Sequence, residues 1–362
     1  MKRIYNFSAG PSVLPESVLS RAGREIKSFK KSGQSVMEMS HRSKIFIDIL
    51  EETKNLLREI MNIPINYEIL FLQGGASSQF SMVPLNLFRK YRKAGFIITG
   101  QWSKKAYKEA SRYGEAKIIT SSQDKNFSYI PNVTKEMIPS DLDFIHICFN
   151  NTIYGTKFNY IPETGNVPLV ADISSYILSE PIDVSKFGIL YACAQKNMGP
   201  AGVTAVIIRK DLIGHEMYIT PIMFNYKIHV ENNSLFNTPP CYSIYICNLV
   251  LKWLKKEIGG LEEMKKINIK KANVLYDYLD NSKLFKVTVD KKYRSIMNIP
   301  FITGNKELDE EFIKQTEFNN MINLKGHRTV GGMRASIYNA MPIEGLTTLV
   351  DFMEYFESHN KK

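Results

Sequence analysis

Short apolar runs recur through the middle of the chain, and each is bounded by turn-forming residues. Stretches with helical spacing, such as Ser78–Phe88 and Lys104–Arg112, separate several of them. The runs are Glu68–Leu72, Phe96–Thr99, Lys117–Thr120, Phe144–Phe149, Leu169–Ala171, Gly188–Cys193 and Val203–Ile208. Strands that alternate with helices favour a parallel sheet. The sequence therefore predicts an α/β domain whose mainly parallel, seven-stranded sheet is flanked by helices.

Two amphipathic helices are predicted before the first strand, over Glu16–Ser32 and Ser43–Met61, and Gly33 suits the position just past the end of the first helix. The pattern of predicted strands and helices changes near residue 259, where a lysine-rich helix begins. The later predicted elements are strands at Phe285–Val289, Ile296–Ile302 and Met333–Tyr338 and helices near Glu307–Leu324 and Glu344–Ser358. A chain of 362 residues can form two domains. We predict a large α/β domain over 16–258 and a smaller α+β domain over 1–15 and 259–362.

The formal net charge of +11 does not by itself indicate a nucleic-acid-binding protein. The densest basic stretch, Lys252–Lys271, carries Glu257, Glu262 and Glu263 between its lysines, which is typical of a solvated helical face. We therefore expect small anionic substrates, with no nucleic-acid partner.

The cysteines and the hydropathy pattern bear on metal binding and location. The four cysteines lack metal-finger spacing, so no metal is expected and they are interpreted as small buried hydrophobes. No run of eighteen apolar residues occurs, and no signal peptide is visible. We predict a cytoplasmic protein that does not bind membranes.

Lys196 and Asp172 stand at the ends of two predicted strands. Lys196 opens a glycine-rich turn, where a poorly solvated amine can lose its proton and act as a nucleophile. Asp172 would be costly to bury without a cation, and a pyridinium nitrogen is such a cation. Each residue alone could simply form a turn, but together they predict a pyridoxal-phosphate site.

Three other strand ends carry residues suited to the same cofactor. Gly74-Gly75 leads from a strand into a helix, where the N–H groups of Ala76 and Ser77 can bind phosphate. Trp102 could stack on an aromatic ring, or simply pack between domains. Thr152 offers a hydroxyl for a phenolic oxygen, although it too could belong to an ordinary turn.

Two basic clusters could bind an acidic substrate. His41 and Arg42 precede a helix, whereas His327 and Arg328 lead through two glycines to Arg334 at the start of a strand. The planar guanidinium of arginine suits carboxylate and phosphate groups. Arg334 is therefore the candidate for an α-carboxylate, with a surface ion pair as the alternative.

The chain resembles the phosphoserine aminotransferase family, in the class V group of fold-type I pyridoxal-phosphate transferases. The resemblance runs nearly end to end. The segments that carry it are Asn6–Pro11, His41-Arg42, Gly74–Ser77, Gly100–Trp102, Asn151–Ile153, Ala171–Ser175, Gln195–Asn197, Asn237–Pro240 and Gly326–Arg328. It implies a homodimer that transfers the amino group of L-glutamate to 3-phosphohydroxypyruvate, in serine biosynthesis. Relatives often also accept a phosphorylated precursor of pyridoxine.

The resemblance also implies a role for each candidate residue. Lys196 would be the Schiff-base lysine and proton carrier, Asp172 would pair with the pyridine nitrogen, Trp102 would stack on the ring and Thr152 would bind the ring oxygen. The phosphate would be held by Ala76, Ser77 and Gln195, with Asn237 and Thr238 of a second subunit. The substrate would contact Arg334 through its α-carboxylate and His41 and Arg42 through its distal acidic group, with His327 and Arg328 supplied by the second subunit.

Three alternative functions make different demands on the sequence. A cysteine desulfurase needs a mobile cysteine late in the chain, but none follows Cys247. An alanine–glyoxylate type transaminase would not need the His327-Arg328 pair. A basic protein without catalytic activity would bind nucleic acid with a steep salt dependence, whereas the enzyme should be yellow and bleach with glutamate.

Overall fold

The computed structural model describes residues 3–360. The strands are β1 (Tyr5–Asn6), β2 (Tyr67–Leu72), β3 (Lys93–Ile98), β4 (Glu115–Ser121), β5 (Phe144–Cys148), β6 (Leu169–Asp172), β7 (Ile189–Cys193), β8 (Thr204–Arg209), β9 (Lys286–Val287), β10 (Asn298–Ile302), β11 (Met321–Ile322) and β12 (Met333–Ser336). The helices are α1 (Glu16–Glu25), α2 (Lys44–Ile60), α3 (Gly75–Leu87), α4 (Gln101–Ala110), α5 (Tyr226–Glu231), α6 (Cys241–Trp253), α7 (Leu261–Asn281), α8 (Lys306–Phe318) and α9 (Ile343–His359).

A seven-stranded sheet forms the centre of the protein, in the order β2-β8-β7-β6-β5-β3-β4. Strand β8 runs antiparallel to both of its neighbours, and the other six strands run in one direction. The strands are mostly buried and apolar, as strands covered by helices on both faces must be, except for the edge strand β4, which is partly exposed. The predicted mainly parallel sheet is thus confirmed. Because β2, β3, β5, β6 and β7 share a direction, their carboxyl ends meet at one edge, where ligands of α/β proteins bind.

The later part of the chain builds a smaller α+β layer. Strands β9, β10 and β12 form an antiparallel sheet, and β1 pairs in parallel with β11. Phe7, at the start of the chain, packs in the same apolar cluster as Phe285 and Phe356. This packing supports the assignment of residues 1–15 and 259–362 to one domain, which we retain as a proposal.

Two predicted helices are too long. The helix predicted over Glu16–Ser32 ends at Glu25; Ser28 is extended, with φ −154° and ψ 101°, and Phe29 packs edge-on against Tyr245 of α6. The helix predicted near Glu307–Leu324, which is α8, ends at Phe318. Its last predicted turn is instead strand β11, which is paired with β1.

Polar side chains join the two layers beside the carboxyl edge of the large sheet. Asn298 of β10 accepts a hydrogen bond from Asn150 Nδ2 at 2.9 Å, and the Tyr338 hydroxyl donates to the Ala9 carbonyl at 2.8 Å. The Asn339 N–H donates to Asn197 Oδ1 at 2.9 Å. The smaller layer is therefore fixed against the loops that follow β5 and β7. No helix within residues 3–360 has the length and apolarity needed to cross a membrane.

Candidate active site

A cavity of about 480 Å³ lies at the carboxyl edge of the large sheet. Its wall includes one residue or turn from each of five strand ends, namely Gly75 after β2, Trp102 after β3, Thr152 after β5, Asp172 at the end of β6 and Lys196 after β7. The five strand ends that were singled out from the sequence thus converge on one space.

Lys196 lies in a turn whose backbone is held from several sides. The Ala194 N–H donates to the Val203 carbonyl at 2.9 Å, which closes the turn between β7 and β8. Ser12, from the N-terminal segment, donates from its hydroxyl to the Lys196 carbonyl and from its N–H to the Gln195 carbonyl. The Lys196 side chain is half-buried and reaches into the cavity, so its backbone is fixed while its amine is accessible.

The Thr152 hydroxyl accepts a hydrogen bond from the Lys196 amine. Lys196 Nζ donates to Thr152 Oγ1 at 2.9 Å, and that hydroxyl donates in turn to Ser175 Oγ at 2.9 Å. Ser175 Oγ donates to the Asn150 carbonyl at 2.9 Å and accepts from Asn150 Nδ2 at 2.8 Å. Because each hydroxyl proton has an acceptor, Thr152 presents its lone pair toward the cavity and the amine.

Asp172 is a buried carboxylate facing the same cavity. Ser174 N–H donates to its Oδ1 at 2.9 Å, and Asp172 makes no salt bridge within residues 3–360. Burial raises the pKa of Asp172, whereas the nearby Lys196 charge and the Ser174 hydrogen bonds oppose that rise. A cationic ring nitrogen placed against it would compensate the buried charge.

The turn after β2 forms an anion-binding cradle. Gly74 and Gly75 have φ values of 89° and 64°, which glycine adopts without strain, and α3 begins at Gly75. The Ala76 N–H donates to Cys193 Sγ at 3.1 Å, and Ser77 also lines the cavity. A helix N-terminus with accessible N–H groups suits a phosphate.

Trp102 provides a flat apolar wall at the start of α4. Its Nε1 is buried without a hydrogen-bond partner among the described residues. The ammonium of Lys105, one helical turn later, lies 4.6 Å from the centre of the Trp102 ring. The face of the indole can therefore stack on an aromatic ligand.

A cluster of cations borders the cavity on the side of the smaller layer. Arg334 Nη1 donates to the Thr152 carbonyl at 3.3 Å, and its buried Nε has no partner in the described part of the chain. Burial lowers the pKa of His327, and the charges of Arg334, Arg328 and Lys105 lower it further. The site is thus prepared for an anionic ligand.

The remaining predicted residues fall into two groups, those that line this cavity and those that do not. His327 lines the cavity of its own chain and Arg328 is exposed beside it, so the assignment of this pair to a second subunit stays a prediction. His41 is buried and Arg42 is exposed, and neither lines this cavity. The same is true of the exposed Asn237 and Thr238. Gln195 lines the cavity.

Two further parts of the chain border the site. Ala9 and Gly10 line the cavity from the N-terminal segment, and the space beside Gly10 is filled by the side chains of Gln195 and Lys196. Lys105 contacts Trp102 without lining the cavity, and its spacing from Trp102 on a helix is the sequence signal for this contact. Among the described residues, no group of three or more His, Cys, Asp or Glu side chains could hold a metal ion.

The chain belongs to the class V aminotransferases, because the family model for aminotransferase class-V matches residues 4–349. A phosphoserine aminotransferase of Bacillus cereus is 54% identical over 361 residues, which cover 100% of both chains. A solved phosphoserine aminotransferase of Bacillus circulans subsp. alkalophilus superposes with a TM-score of 0.96 at 44% identity, covering 99% of each chain. The pyridoxal-phosphate-bound phosphoserine aminotransferase of Trichomonas vaginalis does so with a TM-score of 0.92 at 37% identity, covering 97% of this chain and 100% of that one.

Proposed function

We propose that this protein is a phosphoserine aminotransferase, which transfers the amino group of L-glutamate to 3-phosphohydroxypyruvate and releases O-phospho-L-serine and 2-oxoglutarate. The observation that carries this proposal is the joint position of Lys196, Asp172 and Arg334 around one cavity. The amine, the carboxylate and the guanidinium correspond to three needs of the reaction, namely a nucleophile and base, a partner for a ring cation, and an anchor for a carboxylate.

Pyridoxal phosphate fits the residues that line the cavity. Its phosphate would be bound by the N-terminus of α3 at Ala76 and Ser77, and its ring would lie between Trp102 and the residues of β6. Asp172 would then gain the cation that it lacks within the described residues, which supports the assignment. When bound, the cofactor supplies an electron sink for the carbanion formed at the substrate Cα.

Lys196 would carry the proton that is exchanged at the substrate Cα. Its amine is held by Thr152 Oγ1, and its backbone is held by Ser12. A base within hydrogen-bonding reach of the reacting carbon contributes about 10²–10⁴-fold to such a step. Thr152 positions the amine, and its own hydroxyl is positioned by Ser175.

The cation cluster explains why an acidic substrate is favoured. Arg334 lies deepest, against the Thr152 carbonyl, and suits the α-carboxylate that donor and acceptor share. His327 and Arg328 lie nearer the surface and suit the distal phosphate. The same arrangement supports activity on 3-hydroxy-2-oxo-4-phosphooxybutanoate, the phosphorylated keto acid of pyridoxine biosynthesis, which also has a carboxylate at one end and a phosphate at the other.

We also propose that the active unit is a homodimer. Large apolar side chains are exposed in the segment from 218 to 236 that leads up to Asn237 and Thr238, namely Tyr218, Ile219, Ile222 and Phe236. A patch of this kind, with polar residues at its edge, is typical of a protein interface. Asn237, Thr238, His41 and Arg42, which do not line the cavity of their own chain, would then serve the cavity of the partner. The molecular mass in solution, measured by light scattering, should be twice the 41.5 kDa of one chain.

A coupled assay tests the proposed function. The purified protein, loaded with pyridoxal phosphate, is incubated with L-glutamate and either 3-phosphohydroxypyruvate, pyruvate or glyoxylate, and 2-oxoglutarate is measured. We expect kcat/KM for the phosphorylated acid to exceed the other values by at least about 10²-fold, because only a phosphorylated side chain can pair with the distal cations His327 and Arg328. Equal values for glyoxylate would favour the alanine–glyoxylate type alternative, which the comparisons do not favour.

A cytoplasmic location stays a prediction. It agrees with the cysteines of the described chain, Cys148, Cys193, Cys241 and Cys247, all of which are free thiols.

A further inference from the structure

We propose that Lys105 is a specificity-determining residue that contacts the distal phosphate of the keto-acid substrate. This inference rests on the proposed function and adds to it a residue on α4 of the larger layer, opposite His327 and Arg328. The phosphate would then be held from two sides of the cavity mouth.

The position of Lys105 follows from the geometry of α4. Lys105 is three residues after Trp102, so both side chains lie on one face of the helix. Its Nζ atom lies 4.6 Å from the centre of the Trp102 ring, and Trp102 itself lines the cavity. The cation–π contact holds the ammonium at the rim of the site instead of leaving it free in solvent. The remainder of the Lys105 side chain is exposed, so an incoming substrate can reach it.

The cations at this edge of the cavity are not paired with carboxylates among the described residues. The positive charges of Lys105, Arg328 and Arg334 all lower the pKa of His327, which shows that the four groups lie close together. Within residues 3–360, none of these four side chains has a carboxylate within salt-bridge distance, whereas many other lysines and arginines do. Like charges that are held together without counterions repel each other, and a bound anion removes that repulsion.

The phosphate, and not the α-carboxylate, is the matching anion. Arg334 already lies against the Thr152 carbonyl, close to the amine of Lys196 and hence to the reacting carbon. Lys105 does not line the cavity itself, but it is exposed beside Trp102, which does, so its ammonium can reach the far end of a short substrate. A phosphate carries about 1.5 to 2 negative charges at pH 7 and three acceptor oxygens, so it can use His327, Arg328 and Lys105 at once.

The test compares Lys105→Met with Lys105→Arg and with Lys108→Met. Lys108 is an exposed lysine on the same helix that neither lines the cavity nor contacts Trp102, so it is a matched control for charge. For each cofactor-loaded protein, KM and kcat are measured for 3-phosphohydroxypyruvate and for L-glutamate, and inhibition by inorganic phosphate is measured alongside.

We expect Lys105→Met to raise KM for the phosphorylated acid about tenfold, the effect of one charge-assisted hydrogen bond. It should change kcat and KM for glutamate less than about threefold and weaken inhibition by inorganic phosphate. Lys105→Arg should restore KM, and Lys108→Met should behave as the wild type. An unchanged visible absorption spectrum of the bound cofactor shows that Trp102 has not moved.

The outcomes separate this inference from the function on which it rests. If the wild-type protein fails to turn over the phosphorylated acid, the proposed function is wrong. If it does turn over that acid, and Lys105→Met alters both substrates equally or neither of them, then only the role of Lys105 is overturned. An equal effect of Lys108→Met would show a general charge effect and would also overturn it.

Discussion

The amine of Lys196 and the hydroxyl of Thr152 are joined by a hydrogen bond of 2.9 Å. The main-chain carbonyl of the same threonine accepts from Arg334 at 3.3 Å. Thr152 therefore links the proposed base on the large sheet to the proposed carboxylate anchor on the smaller layer. The distance between the reacting carbon and the base depends on this one residue.

Replacing Lys196 by alanine should lower kcat by at least about 10³-fold, because the proposed base and nucleophile is lost. Pyridoxal phosphate should then bind only non-covalently, so that dialysis removes it and the visible absorption disappears. Lys186→Ala, at an exposed lysine before the amino end of β7 that does not line the cavity, is the control and should keep full activity. Transamination at a near-normal rate by the Lys196 variant would refute the assignment.

Thr152→Val should lower kcat about 10- to 100-fold while the fold is retained, because valine keeps the shape of threonine but cannot accept a hydrogen bond from the amine. Ser175 Oγ would also lose its donor. Thr152→Ser keeps the hydroxyl and should recover most of the activity. A valine variant as active as the serine variant would show that the hydroxyl does not position Lys196.

Asp172→Asn should have opposite effects on the two forms of the protein. Burial raises the pKa of Asp172, so its folded-state pKa lies above its unfolded value. Above the unfolded value the folded chain therefore holds the carboxylate at a cost, and asparagine should stabilise the cofactor-free protein at pH 7. The cofactor-loaded variant should lose affinity for pyridoxal phosphate and about 10²-fold in kcat. Thermal melting of both forms measures this, and a destabilised cofactor-free variant would contradict it.

Arg334→Gln should raise KM about 10- to 100-fold for L-glutamate and for the phosphorylated acid alike, since both present an α-carboxylate. The equal effect distinguishes Arg334 from Arg328, whose replacement by alanine should affect the phosphorylated acid more than glutamate. Steady-state kinetics with each substrate varied in turn provide the comparison. If Arg334→Gln affected only the phosphorylated acid, Arg334 would bind the phosphate instead of the α-carboxylate, and the prediction would be contradicted.

Lys271 should give the stability of the protein a pH dependence. Its ammonium is buried and donates to the carbonyls of Ile337, Tyr338 and Asn339 at 2.8 to 3.2 Å. Burial lowers the pKa of Lys271 from 10.5 to about 7. Between these values the unfolded chain binds more protons than the folded one, so the contribution of this site to stability rises with pH above about 7.

The variant Lys271→Met removes this titration. The thermal midpoint of the wild type relative to that of the variant should therefore increase from pH 7 to pH 9.5. Lys270→Met, at the exposed neighbouring position on α7, should run parallel to the wild type. Parallel curves for Lys271→Met would contradict the shifted pKa.

The sheet could be predicted because each strand is a local apolar run, and five ligand-facing positions followed from strand ends that share one edge. Positions set by long-range packing could not be predicted. Phe29 packs against Tyr245 where a longer helix was expected, and the segment after Phe318 pairs with β1; both partners are distant in sequence. The path of the loop from Gly326 to Gly332 likewise depends on the tertiary contacts around it, and the assignment of His327 and Arg328 to a second subunit stays a prediction.

The antiparallel direction of β8 has a consequence for how the proposed base moves. Strands β7 and β8 form a hydrogen-bonded hairpin, and Lys196 sits in its turn. The turn is fixed by its own main-chain hydrogen bonds, from Ala194 N–H to the Val203 carbonyl and from Ser12 N–H to the Gln195 carbonyl. The main chain at Lys196 is thus held in place, and only its four-carbon side chain is free to change conformation. The reach of the base is set by torsions of one side chain, so proton delivery at this site needs no loop to open or close.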